Sequence, residues 1–197
     1  MEIASRRKAG CWQHVYMSAL PALTALETGR LILRRQSPNE AEIFRQLWTE
    51  RDPRVPPHRR IDADGRPTVE DIVTGIRIEH ERSQPGLLAV ERKSVGDVIG
   101  YCGLVFHDNG APGEPELAYE LLRRAHGFGY ATEAGLSVVA WSTAAGYARL
   151  WATVRAWNFA SRRVLEKLGF RETGQIEPDT AHGDSLLTVR ELSSAVR

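Results

Sequence analysis

The feature that most constrains this chain is a strand-to-helix junction carrying two glycines. A strand-like run, Glu116 to Leu122, leads into Arg124-Ala125-His126-Gly127-Phe128-Gly129-Tyr130-Ala131-Thr132-Glu133-Ala134, and an apolar helical run from Ala131 to Ala145 leads out. The first amides of a helix have no intrahelical partner and point out of its end. The helix dipole adds positive potential at the same place, so a junction of this kind seats an anion. Glycine permits both the turn and the close approach of a ligand to the backbone. Gly127, Phe128, Gly129, Tyr130 and Ala131 are therefore candidate phosphate contacts, with Arg124 as a fixed positive charge and His126 as a further neighbour.

The remaining pattern extends this junction into an α/β chain. Arg30 to Arg35 reads as the first strand. Ser37-Pro38-Asn39-Glu40 then combines a capping serine, an N-terminal proline and a capping-box glutamate before the helical stripe Ala41, Phe44, Leu47 and Trp48. Prolines 53, 56, 57 and 67 mark a loop over 51–66, and Thr68 opens a second helix running to about Ser83. Leu87 to Arg92 and Val98 to Phe106 form a hairpin. After the junction come a helix over 131–146, a strand Leu150 to Ala156, a helix Asn158 to Leu168, and strands at Phe170 to Gly174 and Ser185 to Glu191. The order predicts an antiparallel first half and a strand–helix–strand second half.

Length and charge narrow the class. At 197 residues and net charge +1, the chain suits one domain, and nothing in its balance calls for nucleic acid or a membrane surface. No apolar run reaches the roughly 18 residues of a membrane helix. Cys11 and Cys102 are far apart and lack metal-ligand spacing, which fits a reducing cytoplasm and predicts no metal site. Arg6-Arg7-Lys8 precedes a stretch interrupted by Gln13, His14 and Tyr16, unlike the apolar centre of a signal peptide. Residues 1–26 are expected to be a flexible extension and 27–197 the folded domain.

Three phosphate-binding patterns compete for the junction. A nucleotide-hydrolysing P-loop requires lysine then serine or threonine after the second glycine, where Tyr130-Ala131 stand. A dinucleotide fold requires a small residue at 132 and a carboxylate ending the next strand. Thr132 and Arg155-Ala156-Trp157 supply neither, which argues against a dehydrogenase. In contrast, Arg124-x-x-Gly127-x-Gly129 resembles the acetyl-coenzyme A motif of the GNAT superfamily of N-acetyltransferases. Asn158-Phe159-Ala160-Ser161 followed by Glu166-Lys167-Leu168-Gly169-Phe170 resembles its downstream segment. Glu27 to Arg34 and Val98 to Leu104 are similar to the branch of ribosomal-protein alanine acetyltransferases, so the resemblance spans roughly residues 27–192.

That resemblance implies a single-domain α/β fold. Its mixed sheet has six to seven strands and about four flanking helices, with a splayed pair at the family's fourth and fifth strands. It implies acetyl-coenzyme A as cofactor and direct transfer, in a ternary complex, to a primary amine: a protein N-terminus or a small molecule. A non-catalytic acyl-coenzyme A-binding module is the alternative. A cytoplasmic protein, with a homodimer as one arrangement open to it, is expected. By resemblance, backbone donors near Leu121 and Leu122 face the acetyl carbonyl, and Asn158 and Ser161 meet the pantetheine arm and its sulfur.

Acetyl transfer needs a neutral amine, a stabilised oxyanion and a tolerated thiolate. An α-amine with pKa of about 7.7–8.0 is partly neutral at pH 7, whereas a lysine near about 10.4 is not. A carboxylate that removes the excess proton contributes roughly 10²–10⁴-fold. Glu116 and Glu120 share one face of their strand and are the candidate bases, Glu116 being favoured. The family's tyrosine, seven residues after the asparagine, is replaced by Leu165. Ser161 is then the candidate donor to sulfur. His107 borders the expected acceptor cleft, Trp157 lies beside Asn158, and Cys102 reads as core. The arginines of the 51–66 loop, Arg59 and Arg60 among them, suggest an acidic acceptor.

Overall fold

The computed structural model describes residues 23–82, 84–106 and 113–192. Cys11, His107 and the first 22 residues of the expected extension lie outside the described residues. Twelve regular elements follow one another: β1 (Ala25–Glu27), β2 (Leu31–Arg35), α1 (Ala41–Glu50), α2 (Val69–Glu81), β3 (Leu87–Arg92), β4 (Val98–Val105), β5 (Glu116–Leu121), α3 (Tyr130–Ala144), β6 (Arg149–Arg155), α4 (Phe159–Lys167), β7 (Arg171–Glu177) and β8 (Ser185–Glu191). The Ser37–Glu40 capping box forms as the sequence predicts, on a short 3-10 turn leading into α1, and Thr68 opens α2 with a second box through Asp71.

All strands join one eight-stranded sheet in the order β1-β2-β3-β4-β5-β6-β8-β7. Only the β5–β6 neighbours are parallel among the pairs formed. The expected six to seven strands become eight because β1 joins the edge, pairing Leu26 with Leu33. Its three residues are too short to show an alternating pattern, and pairing rather than sequence makes them a strand. Leu23, inside the expected flexible extension, is 5% exposed and belongs to the core.

Strand alternation divides β5 between two layers. Leu117, Tyr119 and Leu121 pack with α3 and α4, alongside Ala134, Val138, Leu165 and Leu168. Leu122 turns the other way, to Ala41, Phe44 and Leu47 of α1 and Ile76 of α2. By the same alternation Glu116, Ala118 and Glu120 face the α1–α2 side. Among the described residues no helix is long and apolar enough to cross a membrane, and no cluster of metal-ligating side chains occurs.

The sheet opens at its centre. β4 pairs with β5 along its length, from Gly100↔Leu121 to Val105↔Glu116. β6 pairs with β8 from Arg149↔Glu191 to Arg155↔Ser185. Between β5 and β6, however, the register holds only at Glu116↔Trp151, supported by Trp151 N donating to Pro115 O at 3.0 Å. Each strand follows its outer partner, and the two diverge toward Leu121 and Arg155. The sheet twist of the two halves is thus relieved as a V-shaped gap.

Gly100 keeps β4 close to β5 on one side of that gap. Its φ is +150°, and a Cβ there would overlap Glu120 O and press on Leu121. Gly100→Ala is expected to lower the unfolding free energy by about 2–4 kcal/mol, the sum of backbone strain and overpacking. Urea unfolding of the variant checks this; a loss below the error of the measurement would mean that the strand can shift freely.

Candidate active site

The wide end of the gap meets the glycine junction. Gly127 and Gly129 both have φ of +82°, a conformation closed to most side chains, and Gly129 caps α3 without any side-chain bond. The amides opening α3 therefore stay turned outward. A built cradle of this kind fits a pyrophosphate on the chain's own geometry.

A second layer holds the cradle. Arg30 Nη1 donates to Phe128 O at 3.0 Å, and Arg30 Nε donates to Glu133 Oε2 at 2.7 Å. Glu133 Oε1 accepts from Thr28 Oγ1 at 2.6 Å and from Arg30 N at 2.9 Å. Burial pushes the Glu133 carboxyl up, but these hydrogen bonds outweigh it and hold the group below its ordinary range. A carboxylate in the first turn of α3 would repel an incoming phosphate; paired with Arg30 it anchors the β1–β2 turn instead. Arg30 also lies over the Tyr130 ring, 4.7 Å from its centroid, and Phe128 stacks on Tyr130 at 5.9 Å. Sequence reasoning missed Thr28 and Arg30, because nothing local marks partners about 100 residues away.

Arg124 and His126 both make hydrogen bonds within the chain. Arg124 donates to Asp97 Oδ2 at 3.0 Å and to Val98 O at 3.3 Å, tying the junction to the β3–β4 hairpin. Hydrogen bonds from Arg92 and then Arg124 hold the Asp97 carboxyl below its usual range. The tie is therefore present above the ordinary carboxylate range and lost as pH falls through the lowered value. His126 Nε2 lies 2.8 Å from Leu121 O, which only accepts, so this nitrogen carries the proton.

The gap lies between β5 and β6, and α4 starts just beyond the end of β6. Leu122 N donates to Ile99 O at 2.8 Å, so its amide is engaged in the sheet and is not the donor the sequence reading allowed. Alternation turns the Leu121 amide to the opposite edge, into the gap. Across it, Asn158 Oδ1 accepts from Ser161 N at 3.1 Å and caps α4. Ser161 Oγ lies 2.9 Å from Tyr119 Oη. Leu165, one turn further along α4, is 3% exposed within the core. Cys102 is fully buried as expected, and burial pushes its thiol up to about 12.

On the α1–α2 face, the two candidate bases stand in different surroundings. Glu120 takes both Arg51 Nε at 2.8 Å and Arg51 Nη2 at 2.6 Å, and accepts from Tyr101 Oη at 2.9 Å. The Arg51 side chain is 9% exposed and lies over the Trp48 ring at 4.0 Å. Glu116 accepts from Thr153 Oγ1 at 3.1 Å, across the narrow end of the gap. Arg54 pairs with Asp52 and lies over the Trp157 ring at 4.1 Å, so the 51–66 loop reaches the end of β6. Trp157 Nε1 donates to His182 O at 2.8 Å, which adds the β7–β8 loop to the same wall.

A sheet split between β5 and β6, with two positive-φ glycines and a helix N-terminus at the wide end of the split, suits a phosphorylated cofactor. The chain matches the Acetyltransferase (GNAT) domain over residues 30–171 and belongs to that family, whose members are acetyl-coenzyme A-dependent N-acetyltransferases. No curated protein matches the chain. Among solved structures, it resembles RimJ of Mycobacterium smegmatis in complex with CoA-disulfide, at 25% identity and TM-score 0.68, over 85% of this chain and 84% of that one. A GNAT-family acetyltransferase from Bordetella pertussis matches at 24% identity and TM-score 0.67, over 85% and 99%. The ribosomal-protein-S5-alanine acetyltransferase of Vibrio fischeri matches at 17% identity and TM-score 0.69, over 88% and 100%.

Two substitutions test the site. Gly129→Glu, which places a side chain and a negative charge at the positive-φ position of the cradle, should abolish coenzyme A binding in calorimetric titration. Glu120→Gln keeps shape but removes charge, and should lower stability by about 1–3 kcal/mol, the range for a hydrogen bond to a charged partner. An unchanged urea midpoint would show the Arg51 pair to be idle.

Proposed function

We propose that the protein transfers an acetyl group from acetyl-coenzyme A directly to a primary amine, with both substrates bound together. The observation that carries this reading is the gap between β5 and β6. One end opens on the glycine cradle, and the opposite face exposes Glu116 beside Thr153. A cofactor in the gap and an amine approaching from the α1–α2 side would meet at the divergence, with no need for a covalent enzyme intermediate.

The chain's own groups divide the work. Amides of Gly127, Gly129, Tyr130 and Ala131 hold the pyrophosphate, and Asn158 binds the pantetheine arm. When bound, acetyl-coenzyme A supplies an activated acetyl group whose leaving atom is a thiolate. The Leu121 amide, preset on the rim, donates to the acetyl oxygen, a type of contact that often makes the largest single contribution to acyl transfer. Glu116 accepts the proton of the incoming amine through water. Glu120 is poorly suited to that role, because Arg51 and Tyr101 already occupy both of its oxygens. Ser161 donates a hydrogen bond to the sulfur.

An α-amine is the favoured acceptor, since its ordinary pKa leaves a usable neutral fraction at pH 7. Likeness to the ribosomal-protein-S5-alanine acetyltransferase supports a protein N-terminus. Arg59 and Arg60 have no carboxylate at ion-pair distance among the described residues, whereas Arg51, Arg54 and Arg66 are paired. This supports acidic residues near the acceptor amine. One buried and one distant cysteine support a reducing, cytoplasmic setting.

Thiol release with a panel of N-terminal peptides and small amines, followed by mass spectrometry of the products, tests the reading. Release no faster than in buffer would identify an acyl-coenzyme A-binding module instead. Glu116→Gln should reduce turnover within the roughly 10²–10⁴-fold range of general-base catalysis. The loss should be greatest at low pH, where more amine is protonated, with coenzyme A affinity unchanged. Normal turnover across the pH range would exclude Glu116 as the base.

A further inference from the structure

Tyr119 and Ser161 form the only side-chain hydrogen bond between β5 and α4 among the described residues. Tyr119 lies on the face of β5 that carries Leu117 and Leu121, and packs against the α3–α4 core. Ser161 is in the first turn of α4, four residues before Leu165 and on the same side of the helix. The contact therefore joins β5 to the first turn of α4 on the α3–α4 side of the sheet. A tyrosine hydroxyl absent from α4 at position 165 reaches the same helix from β5.

The positions of two protons decide what this contact can do. Tyr119 Oη lies 3.1 Å from Ser161 O and 2.9 Å from Ser161 Oγ. The carbonyl only accepts, whereas each hydroxyl gives one proton and accepts others. With the Tyr119 proton on Ser161 O, the 2.9 Å contact needs the Ser161 proton, and nothing is left to donate into the gap. With the Tyr119 proton on Ser161 Oγ, the serine proton is released. The two arrangements differ by rotation of two hydroxyls and no movement of heavy atoms.

We propose that Tyr119 is the positioning residue for the thiol-binding hydroxyl: by moving its hydrogen bond from Ser161 O to Ser161 Oγ, it turns the Ser161 proton toward the sulfur of coenzyme A. The proposal rests on the reading of Ser161 as the sulfur's donor. In the donating arrangement Ser161 both accepts and donates, and each bond polarises the other. Tyr119 does not serve as the proton source. Burial pushes its phenol up to about 12, whereas a thiol lies near about 8.5, so the proton stays on the tyrosine and the thiolate is stabilised by hydrogen bonding alone.

The test compares the full chain with Tyr119→Phe, Ser161→Ala and the double variant, each saturated with coenzyme A. The thiolate of bound coenzyme A is titrated by its ultraviolet absorbance, a readout that needs no turnover. Tyr119→Phe and Ser161→Ala should each raise the pKa of the bound thiol, and the double variant should match Ser161→Ala. In turnover, Tyr119→Phe should lower kcat by about 5- to 30-fold, the effect of one lost hydrogen bond. The KM for acetyl-coenzyme A should not change, and there should be no further loss in the Ser161→Ala background. Ser161→Thr, which keeps a hydroxyl, should restore the dependence on Tyr119.

Independent effects that add in the double variant would overturn the proposal, as would a Tyr119→Phe variant that changes only cofactor affinity. A wild-type protein that releases no thiol with any amine would sink the transferase reading while the titration still decides the role of Tyr119. A wild type that turns over, with a bound-thiol pKa unmoved in all variants, would sink this proposal alone.

Discussion

The divergence of β5 from β6 is the constraint on which the rest of this structure depends. Each strand is committed to its outer neighbour, β5 to β4 and β6 to β8, and the two touch in register only at Glu116↔Trp151. A backbone edge left unpaired inside a sheet is costly unless something else meets its polar groups. Here His126 takes the Leu121 carbonyl, while Leu122 N, one residue on, returns to Ile99 O in the sheet. The Leu121 amide is left turned away from β4 by the same alternation.

Charge is arranged around the gap by the same logic of prior commitment. Glu133 and Asp97 lie beside the cradle and could oppose an anion, yet each is matched by arginine, Arg30 in one case and Arg92 with Arg124 in the other. The cradle's attraction then comes from backbone amides, whose positions are set by two positive-φ glycines rather than by flexible side chains. On the far face, Arg51 and Tyr101 hold Glu120. Two glutamates on one strand face stand in different surroundings, one on a buried guanidinium and the other beside the Thr153 hydroxyl.

The acceptor wall is built from segments remote in sequence. The 51–66 loop reaches Trp157 through Arg54, and the β7–β8 loop reaches it through His182 O. Both loops end on one indole beside Asn158, so they are joined to each other and to the start of α4 through Trp157.

The sequence by itself determined the order of elements, the caps of the first two helices and the glycine cradle. Those features depend on neighbours a few residues apart: Ser37 with Glu40, Thr68 with Asp71, Gly127 with Gly129. Tertiary structure alone decided β1, the Glu120–Arg51 pair, the Arg124–Asp97 pair, and the engagement of the Leu122 amide by Ile99. It also decided that Tyr119 faces Ser161. In each case the deciding partner lies across the sheet, and local pattern carries no record of which distant group a charge or hydroxyl will meet. Alternation could place Glu116 and Glu120 on one face; only packing could bring Arg51 to Glu120.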